Sequence, residues 1–155
     1  MLSQTAEYAL RAMVELATRT GEARTAQEIA QASRVPLDYL SKVLNSLVRA
    51  GIVSGQRGRG GGFQVVRPVN EITVLEVVSA VDPLRRIRSC PLGLQAHGEN
   101  LCPLHRKLDD AVRSVEEAFA STTIQSLAGP FAIGQGTNTD LRGFCEGDHC
   151  HAATV

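Results

Sequence analysis

Four side chains in the second half of the chain could hold a soft metal centre. Cys90 and Cys102 bracket a stretch containing His97, and His105 follows Cys102 by three residues. Thiolate is a soft ligand and imidazole a borderline one, a pairing suited to zinc or to iron in a cluster. The spacing lacks the tight Cys-x-x-Cys pair of a structural zinc site. Helix-start amides and Arg106 or Lys107 could help to stabilise the thiolates. The alternative on spacing alone is two free thiols beside surface histidines. A second group, Cys145, His149, Cys150 and His151, lies in a segment with little other pattern. It could bind metal or assist loading of a centre elsewhere, or belong to a functionally silent tail.

The cysteine count bounds the compartment. All four cysteines lie from Cys90 onward. An even number suits disulfides in a secreted protein, and metal or redox chemistry in a cytosolic one. The N-terminus lacks the basic-then-apolar order of a signal peptide, and charges interrupt every apolar run before it could cross a bilayer. The expectation is a cytoplasmic protein without a membrane partner. Low aromatic content implies a core of Leu, Val, Ile and Ala. Net charge is zero but uneven: Met1 to Arg67 holds nine Lys/Arg against five Asp/Glu. A basic half can neutralise phosphate, which supplies most non-specific DNA affinity. So small a surplus favours two such modules in a dimer.

The elements that would position these groups centre on Val35 to Gly62. Leu37, Leu40, Leu44, Leu47 and Val48 recur at helical steps, with Val43 beside them, and predict an apolar stripe on one face. The other face offers Asp38, Tyr39, Ser41, Lys42, Asn45 and Arg49. Gly51 suits a helix end. A strand from Ile52 to Gln56, a tip with Arg57, Gly58 and Arg59, and a strand from Phe63 to Val66 predict a hairpin. Its slim basic tip could enter a narrow groove or follow a phosphate backbone. Upstream, Ser3 to Arg19 reads as a helix, with Glu7, Arg11 and Glu15 spaced by four. Thr25 to Glu28 fits a capping box for a short helix reaching about Ala32. Short helix, turn and longer helix make a helix-turn-helix, and the hairpin makes a wing.

Further on, Thr73 to Glu76 repeats the capping box, and Val74, Val77, Val78 and Val81 give one apolar face. Asp82-Pro83 stops that helix. Arg85 to Leu101 has little periodicity and predicts a loop. Pro103 suits a first helical position, and Leu104, Leu108, Ala111, Val112, Val115, Phe119 and Thr122 form a long stripe. Such a helix, added to a small domain, finds cover most simply on its copy in a second subunit. Packing back onto the first domain is the alternative. From Ser126 onward the pattern fails and suggests a flexible tail. The expected fold is thus mostly α with a small β-hairpin. It has a winged helix-turn-helix over 1–82, a cysteine-containing loop over 83–102, a dimerisation helix and following segment over 103–127, and a tail over 128–155.

These residues resemble the IscR/NsrR-type winged-helix regulators, the Rrf-two family of bacterial transcription factors. The resemblance rests on Leu2-Ser3 with Tyr8-Ala9, Leu37-Asp38-Tyr39-Leu40, Arg49-Ala50-Gly51-Ile52-Val53 and the run from Arg57 to Phe63. Ile72 to Asp82 and the cysteine loop follow in order. The resemblance covers Met1 to about Leu127 and implies a homodimer on a palindromic operator. It also implies an iron–sulfur cluster whose presence or state alters DNA affinity. Members of this kind commonly use three loop cysteines, and some add a histidine three residues after the last. Cys90, Cys102 and His105 match the first cysteine, the last cysteine and that histidine; Ala96 stands at the middle one, with His97 adjacent. The departure favours a [2Fe–2S] cluster with mixed ligands over a [4Fe–4S] one, which stays open. Some relatives take an acidic ligand from the partner's first helix. Glu7 sits there and competes with His97 and His105 for the fourth position; the alternative is a solvated carboxylate.

The expected function is a dimeric DNA-binding regulator, a repressor, sensing redox state, nitric oxide or iron through its cluster. Tyr39, Ser41, Lys42 and Asn45 would contact bases or phosphates, and Arg57, Gly58 and Arg59 would work in the wing. Asp38 would accept from cytosine or exclude wrong bases. A second reading keeps DNA binding but senses through a thiol switch or a bound metal ion. A third, a metal or redox enzyme, rests on the cysteines and histidines alone. The sequence shows no nucleophile–base arrangement, no paired catalytic acids, and no Lys-Ser/Thr after the glycine run to make a P-loop.

Overall fold

Four helices begin at a hydroxyl. In the computed structural model, which describes residues 2–58, 60–88 and 101–129, Ser3 caps α1 (Gln4–Thr18) and Thr25 caps α2 (Ala26–Ser33). Thr73 caps α4 (Val74–Val81), and Thr123 caps α6 (Ile124–Ala128). Each hydroxyl accepts an otherwise unpaired amide of the first turn. Thr25–Glu28 and Thr73–Glu76 are full capping boxes, as their sequences predict. The amides of Thr25 and Thr73 each bond the Glu carboxylate and hold both carboxyls below the usual range. Between these lie α3 (Leu37–Arg49) and an antiparallel hairpin, β1 (Val53–Gln56) with β2 (Gly62–Val65), paired Val53 to Val65 through Gln56 to Gly62. Then α5 (Pro103–Ser121) begins with Pro103, whose missing amide costs nothing there.

The core forms around α1. Ala6, Ala9, Ala12, Met13, Leu16 and Ala17 are buried on it, and the alanines let α2, α3, α4 and α6 approach closely. From α3 come Leu40, Val43, Leu44 and Leu47, each at most 1% exposed. Burying a side chain of this size contributes about 1.5–3 kcal/mol, so α3 is held by its inner face. Val74, Val77 and Val78 of α4 are buried too, and α4 packs on both α1 and α3.

Three expectations change. Leu37 does not join the buried stripe; it is 39% exposed, because it sits in the first turn of α3 where the core has ended. The strands start one residue later and one earlier than predicted, with Ile52 already buried. The chain also does not lose structure at Ser126. After α5 it returns to the domain: the Val74 amide donates to Thr122 O and the Ile124 amide to Ile72 O, both at 2.9 Å. Ile124 and Ala128 are buried, and α6 packs on α1. Five residues are too few to register as a helical period, so long-range packing decides that helix. Ala128, placed in the expected tail over 128–155, is instead buried in α6. The remainder of that segment lies outside the described residues.

Candidate nucleic-acid interface and sensor loop

Helix α3 presents a polar face because its other face is fixed in the core. Asp38, Lys42 and Asn45 recur at steps of four and three, all exposed, and the structure brings them together on one side. Asp38 in the first turn and Arg49 in the last suit the helix dipole. Ser41 is less available than its sequence suggests, since its hydroxyl donates to Leu37 O at 3.0 Å. Tyr39 turns towards α1. Its ring meets Tyr8 edge-on, with centroids 5.4 Å apart and planes at 82°. Its hydroxyl lies 3.1 Å from the Thr5 hydroxyl. The Gln4 amide reaches the Tyr8 hydroxyl at 2.9 Å. Tyr39 thus fastens the start of the polar helix to the first turn of α1, a contact that spacing alone could not reveal.

The wing is anchored at its root. The Arg24 amide donates to Phe63 O at 3.0 Å, and the Phe63 amide returns a 2.7 Å bond to Arg24 O. The Arg24 side chain pairs with Glu15 of α1. Gly62 makes the close pairing feasible, because a Cβ there would stand 2.5 Å from Arg24 O. At the tip Arg57 is exposed and Gly58 turns at φ +105°; Arg59 lies outside the described residues. The sequence predicted the hairpin from its glycines, but Arg24 gave no local signal.

The second candidate site starts at α5. Cys102 is its N-cap residue, and Cys102 Sγ lies 3.1 Å from His105 Nδ1. His105 is 8% exposed and is the buried residue of that helix. One helical turn therefore brings a thiol and an imidazole together at the helix start. Cys90 and His97 lie outside the described residues. Among the described residues no three metal-ligating side chains converge. Glu7 is exposed on α1, paired with Arg11, and lines a groove of about 430 Å³ with Leu10, Val14 and Leu127.

The loop is tied to α5 at its other end too. Arg86 donates from Nε and Nη2 to the two Asp109 oxygens at 2.8 and 2.5 Å, and from Nη1 to Glu116 at 3.3 Å. The Ile87 amide adds a 2.9 Å bond to Asp109. The Arg86 guanidinium, then this amide, hold the Asp109 carboxyl down at about 2. A bidentate, charge-assisted pair fixes direction as well as distance. Arg86 and Cys102 thus set both stems of the loop on one helix.

Residues 2–130 match the family model described as Rrf2, iron-dependent transcriptional regulator. The chain belongs to the Rrf2 family. A Mycobacterium tuberculosis protein provisionally named an HTH-type transcriptional regulator is 37% identical over 133 residues, 83% of this chain and 81% of that one. The solved structure of CymR, the global cysteine regulator of B. subtilis, is 27% identical with a TM-score of 0.68; the match covers 83% of this chain and 95% of that one. T. potens IscR, at 21% identity and a TM-score of 0.69, covers 88% and 93% and shares the fold. This Rrf2 chain is accordingly a DNA-binding transcriptional regulator with a winged-helix fold. The family is one of regulators, in keeping with the expectation of a non-enzyme. Among the described residues no helix is long and apolar enough to cross a membrane.

Proposed function

We propose that this Rrf2 chain works in the cytoplasm as a homodimeric repressor on a palindromic operator, with an iron–sulfur cluster setting its affinity. The observation that carries the sensing part is the pairing of Cys102 Sγ with His105 Nδ1 at the start of α5. This donor pair fits such a group, because thiolate and imidazole both ligate [2Fe–2S] centres. Cys90, Cys102 and His105 would hold it, with His97 or Glu7 of a second subunit as the remaining candidates. A [4Fe–4S] group is the less favoured occupant. The group would supply a centre that oxidants, nitric oxide or iron shortage can alter.

The chain's own residues would carry the signal and read the DNA. Asp38, Lys42 and Asn45 on α3 would face base edges and phosphates, with Ser41 at the margin and Tyr39 holding the helix to α1. Arg57, Gly58 and Arg59 would track the backbone from the wing. Arg86 would keep the loop in register with α5. A change in the loop would then move α5 and the spacing of two recognition helices.

Anaerobic purification with iron and sulfide analysis, followed by binding to a selected duplex in each cluster state, tests the reading. Colour, iron and sulfide with state-dependent affinity are expected. A colourless protein with unchanging affinity would remove the cluster.

A thiol switch is the second reading. The CymR likeness and the His105 imidazole beside Cys102 favour it, since a neighbouring imidazole can stabilise a thiolate. In that case oxidant alone would change DNA affinity, and Cys102→Ser would abolish the response without any loss of iron.

A further inference from the structure

The start of α3 carries apolar surface where a recognition helix meets bases. Leu37 is 39% exposed, while Leu40, Leu44 and Leu47 on the same helix are fully buried. Pro36, the N-cap residue, is exposed as well; it has no amide to donate and makes no side-chain cap. Ser41, one turn on, turns its hydroxyl inward to Leu37 O. This edge of the first two turns therefore offers little hydrogen bonding. The neighbouring face, with Asp38, Lys42 and Asn45, is polar. N-terminal residues of a recognition helix are those that reach base edges. In the major groove the one apolar feature of a base pair is the thymine C5 methyl.

We infer that Leu37 is a specificity residue that recognises a thymine methyl, with the polar face of α3 hydrogen-bonding adjacent bases. The inference rests on the proposed insertion of α3 into the major groove. Leu37 also has no evident structural duty, since it lies outside the core cluster.

The probe is a duplex selected from a random library by the full-length protein. Each thymine of a half-site is replaced in turn by deoxyuridine, together with its symmetry mate, which removes only the methyl. At one position the wild-type protein should weaken by about fourfold per methyl, and so by about an order of magnitude for the pair. Leu37→Ala should lose as much on the unmodified duplex and nothing more on the deoxyuridine duplex. Its Tm and salt dependence should stay those of the wild type, because no charge is removed.

The inference is overturned if Leu37→Ala binds the unmodified duplex like the wild type, or remains as sensitive to deoxyuridine. Lys42→Ala and Asn45→Ala separate the two levels. If they weaken binding while Leu37→Ala does not, only the methyl contact is wrong. If all three bind normally, α3 does not enter the groove and both readings fall.

Discussion

Helices α3 and α5 have the same kind of sequence and opposite fates. Both repeat apolar residues at helical spacing and fill the remaining face with polar or charged ones. In α3 the stripe is buried: Leu40, Val43, Leu44 and Leu47 are all within the core. In α5, Leu104, Leu108 and Val115 fall on one side and are 60%, 46% and 39% exposed. Within the apolar stripe the flank with Val112 and Phe119 is half-covered, and Phe119 touches the domain core. Amphipathicity thus says that a face will be covered, but not by what. The α3 stripe is satisfied within the chain, whereas the α5 stripe stays exposed on it, as the proposed dimer seam requires.

The most forceful way to break this contrast is to charge the α5 stripe. Leu108→Glu with Val115→Glu should convert the protein to monomers by sedimentation. Loss of two-site engagement should weaken binding to a palindromic duplex by about 10²–10⁴-fold. The dependence of Tm on protein concentration should vanish as well. A variant that stayed dimeric with full affinity would place the seam elsewhere. Leucine-to-alanine changes sharpen the comparison at somewhat smaller cost. Leu44→Ala should destabilise the fold by about 2–5 kcal/mol in urea, because it leaves a cavity. Leu108→Ala should leave monomer unfolding nearly unchanged and appear instead in the dimer dissociation constant.

The two regions also differ in what their sequences disclose. The capping boxes, the wing and the inner face of α3 are legible because each is a local signal, complete within a few residues. The seal made by α6 is not, since it depends on Thr122 and Ile124 meeting Val74 and Ile72 across some fifty residues. Arg24 at the wing root and Arg86 at the loop stem are missed for the same reason: an isolated arginine has no period. Leu37 errs in the other direction. Its spacing is right for the core, but the helix begins there, and a period cannot say where its first turn projects. Of the candidate site at the start of α5, Cys102 and His105 are legible as a pair by their three-residue separation, and the structure adds the Asp109 tie.

That tie gives a smaller, pH-dependent effect on the α5 side. Asp109 is depressed to about 2, below the ordinary carboxylate value of about 3.9. Its contribution is fully present above that ordinary value and is lost as pH falls from about 4 through 2. Asp109→Ala should remove this part of the acid dependence of Tm. It should also speed hydrogen exchange at the Ile87 amide, which loses its acceptor. If exchange at Ile87 is unchanged, the loop stem is not held by Asp109.

The smallest effect is expected on the α3 side, at the turn that precedes it. Among the described residues Arg34 is the one non-glycine residue with a positive φ, +55°. It occupies the left-handed C-cap position of α2, where its amide donates to Ala30 O. A side chain in this conformation costs roughly 1–2 kcal/mol, and a glycine would lose about 0.5–1 kcal/mol through its freer unfolded chain. Arg34→Gly should therefore stabilise the domain by up to about 1 kcal/mol and raise Tm by a few degrees. The exposed guanidinium lies three residues before Leu37, the first residue of α3, so its removal tests whether the strain serves DNA binding. A more stable variant with weaker binding and a salt slope lower by about one would assign Arg34 a phosphate contact. A more stable variant with unchanged binding would mark the strain as incidental and leave the proposed DNA contacts to α3 and the wing.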